Sequence, residues 1–401
     1  MIKVAIFGFG TVGGGVAEVL DVNHDDILKR TGMDICVKYI LDLKEFPGHK
    51  YESKIVHDID TILNDPEIAI CCETMGGKNI AYTYSKRALE AGKSVCTSNK
   101  ELVEAYGPEL IELAKANNCS YLFEASVGGG IPIIRNLCQC ITADKIESIT
   151  GILNGTTNYM LTKMAAEGDD YAQVLKEAQE MGYAERNPEA DVEGHDAGRK
   201  IAILASLICG KTVPYTSLYV EGISKISKVD FLYAKALGMN IKLLARCQMI
   251  EDKVLAMVSP CFIHKKHPLY MVNDVFNGIL VHGNMLGDAM FYGAGAGKKP
   301  TASAVCADVV AAAANLGSSI TCNWSKEEAK LADVLEMEQQ YLVRVEAACL
   351  EEAKALFCAV ESISLDGYAN EAAFVTEKMS EGSFRALYEK LKGTLGSIRI
   401  A

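Results

Sequence analysis

The sequence lacks an apolar run of the roughly 18–20 residues that a membrane-spanning helix needs, and it contains no Cys-x-x-Cys pair. It has no internal repeat and no low-complexity segment. Basic residues are in the minority, with 40 Lys and Arg against 52 Asp and Glu and a net charge of −12. These absences argue against a membrane span, a Cys-x-x-Cys zinc or redox motif, and nucleic acid or an anionic membrane as a partner.

What is present indicates a globular protein, because 49% of the 401 residues are hydrophobic. This length predicts two or three domains. The first residues read as a strand from the start, which leaves no room for a signal peptide. The 14 cysteines include several in apolar segments, where a thiol acts as a small hydrophobe. We therefore expect a reducing, cytoplasmic location.

Strands and helices alternate over the first 130 residues. Apolar runs at 2–7, 34–41, 68–72, 94–97 and 121–125 predict strands, and residues 81–91 and 101–117 predict helices. This alternation is typical of a parallel, doubly wound sheet, an α/β fold. We expect a Rossmann-type dinucleotide-binding domain at residues 1–130, completed by a helix within 301–320.

A glycine motif follows the first predicted strand and precedes a helix. It reads Gly8-x-Gly10-x-x-Gly13, with Thr11 and Val12 between the last two glycines. In this context the glycines allow a tight turn, approach of the backbone to a pyrophosphate, and close packing of helix on strand. The motif predicts binding of NAD or NADP through these five residues.

The choice between the two dinucleotides stays open. Asp42 ends the second predicted strand and would suit a ribose 2′-hydroxyl, whereas Lys44 would suit a 2′-phosphate. Thr74 and Gly76 follow another buried strand, and Lys100 follows the next, at the edge where such sheets bind ligands.

Two further regions follow the dinucleotide-binding domain. Residues 131–300 mix helical and strand patterns and predict an α+β domain for substrate binding and dimerisation. Residues 336–401 predict strands at 341–347, 362–365, 371–376 and 397–400, with helices at 350–360 and 384–391. Their order, βαββαβ, is ferredoxin-like and similar to that of an ACT domain.

The most informative segment is residues 182–200, where charged side chains lead directly into an apolar run. Asp196 and Lys200 are four apart, so on a helix they would share one face, and a helix is predicted at 197–209. A lysine held beside carboxylates at the edge of an apolar core is a candidate proton-transfer group.

These segments together resemble the homoserine dehydrogenase family. The resemblance rests on the glycine motif and on residues 98–100, 124–132, 151–159, 182–200 and 293–297, in family order. It implies the NAD(P)-dependent interconversion of L-aspartate 4-semialdehyde and L-homoserine, in the threonine and methionine branch of aspartate-family biosynthesis. It also implies a homo-oligomer, either a dimer or a tetramer, acting on a small amino-acid substrate.

The resemblance also implies roles for single residues. Lys200 would be the proton donor and acceptor, Asp196 its partner and a ligand of the substrate amine, and Glu185 a second amine ligand. Lys100 would lie near nicotinamide and substrate. The remaining implied contacts are Asp191, Tyr183 and Thr157 for substrate, Gly182 and Gly297 for cofactor, and the main-chain oxygens of Glu124, Val127, Gly129 and Ile131 for a sodium ion.

The sequence departs from the family pattern in three places. Arg186 and Asn187 precede Pro188 where a small residue and an acid are common, and no arginine follows Asp42. The Asp-x-Pro-Gly turn usual after the first ACT strand is missing after Glu346.

Two other functions stay open at this point. One is a semialdehyde or aldehyde dehydrogenase with Cys96 or Cys138 as nucleophile. The other is a non-catalytic amino-acid sensor.

Overall fold

The computed structural model describes residues 1–359 and 361–401, which form two compact units. The first unit comprises Met1–Lys145, Ala202–Tyr215 and Gly293–Ala329. The second comprises Ile146–Ile201, Thr216–Tyr292 and Lys330–Ala401. In the described part of the chain, no helix is both long enough and apolar enough to cross a membrane.

Strands and helices follow one another from Ile2 to Leu122, within the first 130 residues where the sequence predicts such an alternation. They are β1 Ile2–Phe7, α1 Thr11–Val22, α2 His24–Thr31, β2 Ile35–Leu41, β3 Ile55–Val56, α3 Ile59–Leu63, β4 Ile68–Glu73, α4 Asn79–Glu90, β5 Ser94–Thr97, α5 Lys100–Ala116 and β6 Tyr121–Leu122.

The six strands form one parallel sheet in the order β3-β2-β1-β4-β5-β6. This is the Rossmann order, so the predicted doubly wound fold is confirmed. Helices cover both faces of such a sheet, which is why β1 and β4 are almost continuously apolar and buried. The strand order reverses between β1 and β4, and ligands bind outside the carboxyl ends of the strands at such a point.

The strand predicted at 121–125 is wrong in its second half. β6 ends at Leu122 and a 3₁₀ turn follows at Glu124–Ser126. The reason is a tertiary hydrogen bond, because the Glu124 N–H donates to the buried Asp308 carboxylate at 2.8 Å. That N–H is therefore not available to a neighbouring strand.

The middle of the chain contains six strands that join the second unit's sheet and several helices. The elements are β7 Ile146–Ile152, α6 Gly155–Glu167, α7 Tyr171–Glu180, α8 Glu189–Val192, α9 His195–Cys209, β8 Tyr219–Val220, α10 Lys228–Ala236, β9 Met239–Ile250, β10 Lys253–His264, β11 Phe276–Gly283 and β12 Gly287–Ala294.

The helix expected within residues 301–320 belongs to the first unit and runs earlier, as α11 at Lys298–Ala313. It begins directly after Gly297. It packs on α1 where Gly15 leaves no room for a side chain, since a Cβ there would lie 2.9 Å from the Cβ of Ala302.

The last part of the chain, residues 338–400, is called here the C-terminal segment. Its elements are β13 Glu338–Glu346, α12 Leu350–Phe357, β14 Ser362–Ile363, β15 Glu371–Val375, β16 Met379–Ser380, α13 Glu381–Tyr388 and β17 Thr394–Ile400.

The element order of the C-terminal segment agrees with the predicted βαββαβ, with β16 as an addition that pairs with β13. Helix α13 begins at Glu381 rather than 384 because the Ser380 side chain accepts from the Ser383 N–H and caps the helix there. Helix α12 ends at Phe357, and the last residue of the predicted helix, Val360, lies outside the described residues.

The second unit is built on a mixed sheet of eleven strands. Nine of them follow one path, β12-β11-β7-β9-β10-β17-β13-β15-β14, while β16 pairs with β13 and β8 pairs with β10. The C-terminal segment thus continues the sheet of the middle region, since β17 pairs in parallel with β10 at Cys261 and Phe262. This junction between distant segments could not be inferred from local patterns.

Candidate active site

The glycine motif forms the turn that the sequence predicts. Gly8 has φ of +90°, a conformation that glycine adopts without steric cost. A Cβ on Gly13 would lie 1.9 Å from the Gly8 carbonyl oxygen, so this position also requires glycine. A Cβ on Gly10 would meet nothing within 4 Å, which leaves the backbone at the start of α1 open to a ligand. The Thr74 hydroxyl contacts the carbonyl oxygens of Phe7 and Gly8 at 3.0 and 2.9 Å and so supports the turn from β4.

Asp42 lies at the end of β2 and contacts this turn. Its carboxylate accepts hydrogen bonds from the Phe9 N–H at 2.7 Å and the Lys44 N–H at 2.9 Å. Phe9 stands between Gly8 and Gly10, so Asp42 places a negative charge directly beside the glycine turn. Lys44 is exposed.

The loops after β4 and β5 are joined by hydrogen bonds. Glu73 is fully buried and accepts from the Thr97 hydroxyl and the Met75 N–H. Burial raises the pKa of Glu73 to about 7, against the opposing effect of these two hydrogen bonds. The Asn99 amide donates to the Gly77 carbonyl at 2.7 Å, and the Asn99 oxygen caps α5. Lys100 is the first residue of that helix, at the carboxyl edge of the sheet.

In the second unit, Lys200 and Asp196 form the pair that their spacing predicts. The Lys200 ammonium donates to Asp196 Oδ2 and to the Leu153 carbonyl, both at 2.7 Å. The exposed fractions of the two residues are only 8% and 5%. Each of these charges loses hydration on burial, so each must be matched by a partner of opposite charge.

Asn154 connects this pair to a further carboxylate. Its amide donates to Asp191 Oδ1 at 2.7 Å and to Asp196 Oδ2 at 2.9 Å. Its oxygen accepts from the Thr157 N–H at 2.9 Å and caps α6. We call Asn154, Asp191, Asp196 and Lys200 the Lys200 cluster. The sequence analysis did not single out Asn154, although the amide-rich segment 151–159 was the available signal.

The other residues expected at the substrate site occupy different surroundings. Tyr183 and Glu185 are exposed, in the connection between α7 and α8. Thr157 is buried, and its hydroxyl is hydrogen-bonded to the main-chain and side-chain oxygens of Asn154. Gly182, expected at the cofactor, is exposed with φ of +75°. The hydrogen bonds that define the Lys200 cluster do not include Glu185 or Tyr183.

The segment expected to hold sodium turns through two glycines with positive φ, Gly128 at +74° and Gly129 at +55°. A Cβ on Gly129 would lie 2.5 Å from the Gly295 carbonyl, so this loop packs directly on the second glycine loop, which Gly297 ends. The Glu124 carboxylate accepts from the N–H groups of Ile134 and Arg135 at 2.8 and 2.7 Å. Burial raises the pKa of Glu124 against these bonds.

Within the described residues, no group of three His, Cys, Asp or Glu side chains converges on a metal position.

Neither candidate cysteine nucleophile is activated. Cys96 is fully buried, and burial raises the pKa of its thiol well above the usual range. A hydrogen bond with Cys322 and burial raise the pKa of Cys138 as well. A thiolate nucleophile needs the opposite shift, so thiol chemistry is not supported at either position.

The parallel sheet with its glycine turn, and a second unit with a buried lysine–carboxylate pair, define a nicotinamide-dependent oxidoreductase. Comparison with known proteins narrows this class of enzyme to one family. Residues 8–124 match the model of the NAD-binding domain of homoserine dehydrogenase, and residues 132–310 match that of homoserine dehydrogenase.

Similar proteins agree. A homoserine dehydrogenase of Synechocystis is 42% identical over 350 residues, which cover 86% of this chain and 79% of the relative. A homoserine dehydrogenase structure from Thiobacillus denitrificans has a TM-score of 0.91 at 32% identity and covers 100% of this chain and 98% of that one. A hyperthermophilic archaeal homoserine dehydrogenase in complex with NADPH has a TM-score of 0.65 at 27% identity, covering 79% and 99%. The chain belongs to the homoserine dehydrogenase family.

Proposed function

We propose that the Lys200 cluster carries out the proton transfer of the family reaction, the NAD(P)-dependent interconversion of L-aspartate 4-semialdehyde and L-homoserine. The observation that carries this proposal is the buried Lys200–Asp196 pair, which Asn154 ties to Asp191. Ammonium and carboxylates are held together at low exposure, where electrostatic interactions are stronger than in water.

Reduction of the aldehyde needs a hydride on carbon and a proton on oxygen. The nicotinamide, when bound, supplies the hydride. Lys200 supplies the proton to the carbonyl oxygen in reduction and takes it from the hydroxyl in oxidation. Asp196 accepts a hydrogen bond from the ammonium and thereby fixes its position, while the Leu153 carbonyl holds it from a second direction.

The substrate is a small amino acid, and its ammonium requires carboxylates. Asp196, Asp191 and Glu185 are the acids proposed for this role, with Tyr183 and Thr157 as further substrate contacts. Because Thr157 is buried and its hydroxyl contacts the Asn154 oxygen, it would contribute to substrate binding indirectly, by orienting the Asn154 amide. Lys100 is proposed as a second catalytic residue, whose ammonium would lie near the nicotinamide and the substrate.

The residues present fit a dinucleotide. Gly8, Gly10 and Gly13 let a ligand approach the backbone at the N-terminus of α1, where backbone N–H groups and the helix dipole favour a pyrophosphate. Thr11 and Val12 open that helix. Thr74, Gly76, Lys100, Gly182 and Gly297 are the other proposed cofactor contacts.

Sodium is proposed as a structural ion held by main-chain oxygens of Glu124, Val127, Gly129 and Ile131. Two observations support this donor set. The Glu124 carboxylate already accepts hydrogen bonds from two N–H donors, which favours the main-chain oxygen of Glu124 over its side chain as the ligand. Glycines with positive φ turn the chain sharply at 128 and 129, and oxygen donors suit a hard cation.

The division of the chain into three domains is also a proposal. Residues 1–130 with α11 would be the dinucleotide-binding domain, 131–300 the substrate-binding and dimerisation domain, and 336–401 an ACT-like domain. The strand order β17-β13-β15-β14 supports a ferredoxin-like plan. Without the usual Asp-x-Pro-Gly turn, a structural or dimerising role is favoured over effector binding.

A homo-oligomer, dimer or tetramer, and a cytoplasmic location complete the proposal. Exposed apolar side chains at the edge of the second unit's sheet favour self-association. Met285 is 86% exposed and Met290, on β12, is 40% exposed.

The test is oxidation of NADH and NADPH with L-aspartate 4-semialdehyde, followed by absorbance, for the wild type and Lys200→Ala. We expect turnover by the wild type and a fall in kcat of at least 10²-fold in the variant, the lower range of general acid catalysis. Binding of NADH, measured by fluorescence, should be unchanged. Absence of wild-type turnover would refute the function, and full turnover by the variant would remove Lys200 from its role.

A further inference from the structure

Arg399, on β17, is far from the Lys200 cluster in sequence but is linked to it by a short series of contacts. Arg399 is 7% exposed, and its guanidinium donates to both oxygens of Glu381, at 2.9 and 2.7 Å. It also donates to the Glu221 carboxylate and to the Tyr219 hydroxyl. Tyr219 in turn donates to Glu221 at 2.9 Å. Arg399 therefore ties the C-terminal segment to residues 219–221.

Residues 219–223 lie directly against the turn at 192–194. The Ile223 N–H donates to the Val192 carbonyl at 2.8 Å. A Cβ on Gly222 would lie 2.2 Å from the Val192 carbonyl oxygen and 2.4 Å from the Cα of Glu193, so the two backbones are in contact. Gly194 has φ of +80°, and a Cβ there would lie 3.2 Å from Val220. The turn cannot move without displacing residues 219–223.

The turn at 192–194 connects the two acids of the cluster. Asp191 precedes it on α8, and Asp196 follows it in the first turn of α9. The Gly194 N–H donates to the Asp191 carbonyl, and its carbonyl accepts from the Gly198 N–H. A displacement of this turn would thus change the separation of the two carboxylates that Asn154 bridges.

We propose that Arg399 is a positioning residue for the family reaction. Through Glu221 and residues 219–223 it fixes the turn at 192–194, and thereby the geometry of Asp191 and Asp196. The C-terminal segment would then be a mechanical part of the substrate site, with no ligand required for this role. This inference rests on the proposed function of the Lys200 cluster.

The chain offers a matched control in Arg344. It is a second buried arginine of the C-terminal segment, 8% exposed, on β13. It also joins that segment to the middle region, by donating to Asp230 of α10 at 2.7 Å and to Ser227 at 3.1 Å. Its contacts lie on α10 and β15 instead of residues 219–223. Loss of Arg344 should weaken the same attachment without reaching the turn at 192–194.

The experiment compares Arg399→Met with Arg344→Met by steady-state kinetics in both directions, thermal unfolding and NADH fluorescence titration. We expect similar losses of Tm and unchanged NADH affinity in both variants. The kcat of Arg399→Met should fall roughly 2- to 30-fold further than that of Arg344→Met, the range of coupling through packed networks. Arg399→Lys should recover part of this loss.

Two milder variants cover the case in which Arg399→Met does not fold. Tyr219→Phe removes the hydroxyl that contacts both Arg399 and Glu221, and Glu221→Gln removes the negative charge that Arg399 contacts. We expect each variant to lower kcat and to be non-additive with Arg399→Lys. Equal kcat in the two arginine variants at equal Tm, or full kcat in both milder variants, would overturn the inference. A wild type without turnover would instead refute the proposed function.

Discussion

Replacing Asn154 tests whether the two carboxylates of the Lys200 cluster must be held by a shared amide. Asn154→Ser keeps an oxygen to cap α6 but removes the N–H groups that reach Asp191 and Asp196 at 2.7 and 2.9 Å. Asn154→Ala removes the cap as well. The comparison separates orientation of the acids from stability of the helix.

The magnitude follows from the contacts. A hydrogen bond to a charged group is worth about 1.5–3 kcal/mol, and Lys200 still holds Asp196 in the variant. We therefore expect Asn154→Ser to lower the free energy of unfolding by about 2–4 kcal/mol. The lost cap should cost Asn154→Ala about 1 kcal/mol more.

The catalytic efficiency of both variants should fall as well as their stability. We expect kcat/KM to fall roughly 10- to 100-fold in both variants, which corresponds to about 1.4–2.7 kcal/mol of transition-state stabilisation. The assays are NADH oxidation with aspartate semialdehyde and urea unfolding. Asp170→Ala is the control, because Asp170 caps the neighbouring α7 and its loss should leave kcat/KM within twofold. Full activity of Asn154→Ser would refute the reasoning.

Three other changes test the first unit. In Gly13→Ala the new Cβ would lie 1.9 Å from the Gly8 carbonyl oxygen. The affinity for NADH, measured by fluorescence titration, should therefore fall more than tenfold. Gly14→Ala is the control and should bind NADH normally, because its Cβ would meet only a ring carbon of Phe9, at 3.9 Å. Asp42→Ala removes the charge beside the glycine turn and should shift the ratio of kcat/KM for NADH over NADPH about tenfold toward NADPH; an unchanged ratio would contradict this role. The pKa of Glu73 is raised from 4.5 to about 7, so the folded state binds the proton more tightly than the unfolded one and stability falls as pH rises through this range, by roughly 3 kcal/mol. Glu73→Gln should remove that decline in urea unfolding at pH 5 and 8, and an unaltered pH dependence would show that Glu73 is not its source.

Much of the fold and part of the site could be predicted because their signals are local. The glycine turn of β1 and the four-residue spacing of Asp196 and Lys200 depend only on neighbouring residues. Asn154 was missed because its importance comes from two acids that lie 37 and 42 residues away.

Strand β9 could not be predicted for a related reason. Lys242 interrupts its apolar pattern, yet this lysine is fully buried. Its ammonium donates to the Val272 carbonyl and to the side-chain oxygens of Asn158 and Asn273. Burial lowers the pKa of Lys242 to about 8. A buried charge with distant acceptors looks like a surface residue in a local pattern, so the strand could not be read from its own sequence.

The contact between Gly129 and Gly295 restricts how this chain can be redesigned. A Cβ on Gly129 would meet the Gly295 carbonyl carbon and oxygen at 2.5 Å, so the obstacle is main chain and no second substitution can make room for it. Gly130 is less strictly confined, because a Cβ there would lie 2.9 Å from the side-chain Cβ of Pro300 and 3.3 Å from its Cα. Libraries that vary either loop must keep Gly129, whereas Gly76, whose Cβ would meet nothing within 4 Å, can be varied freely as far as space is concerned.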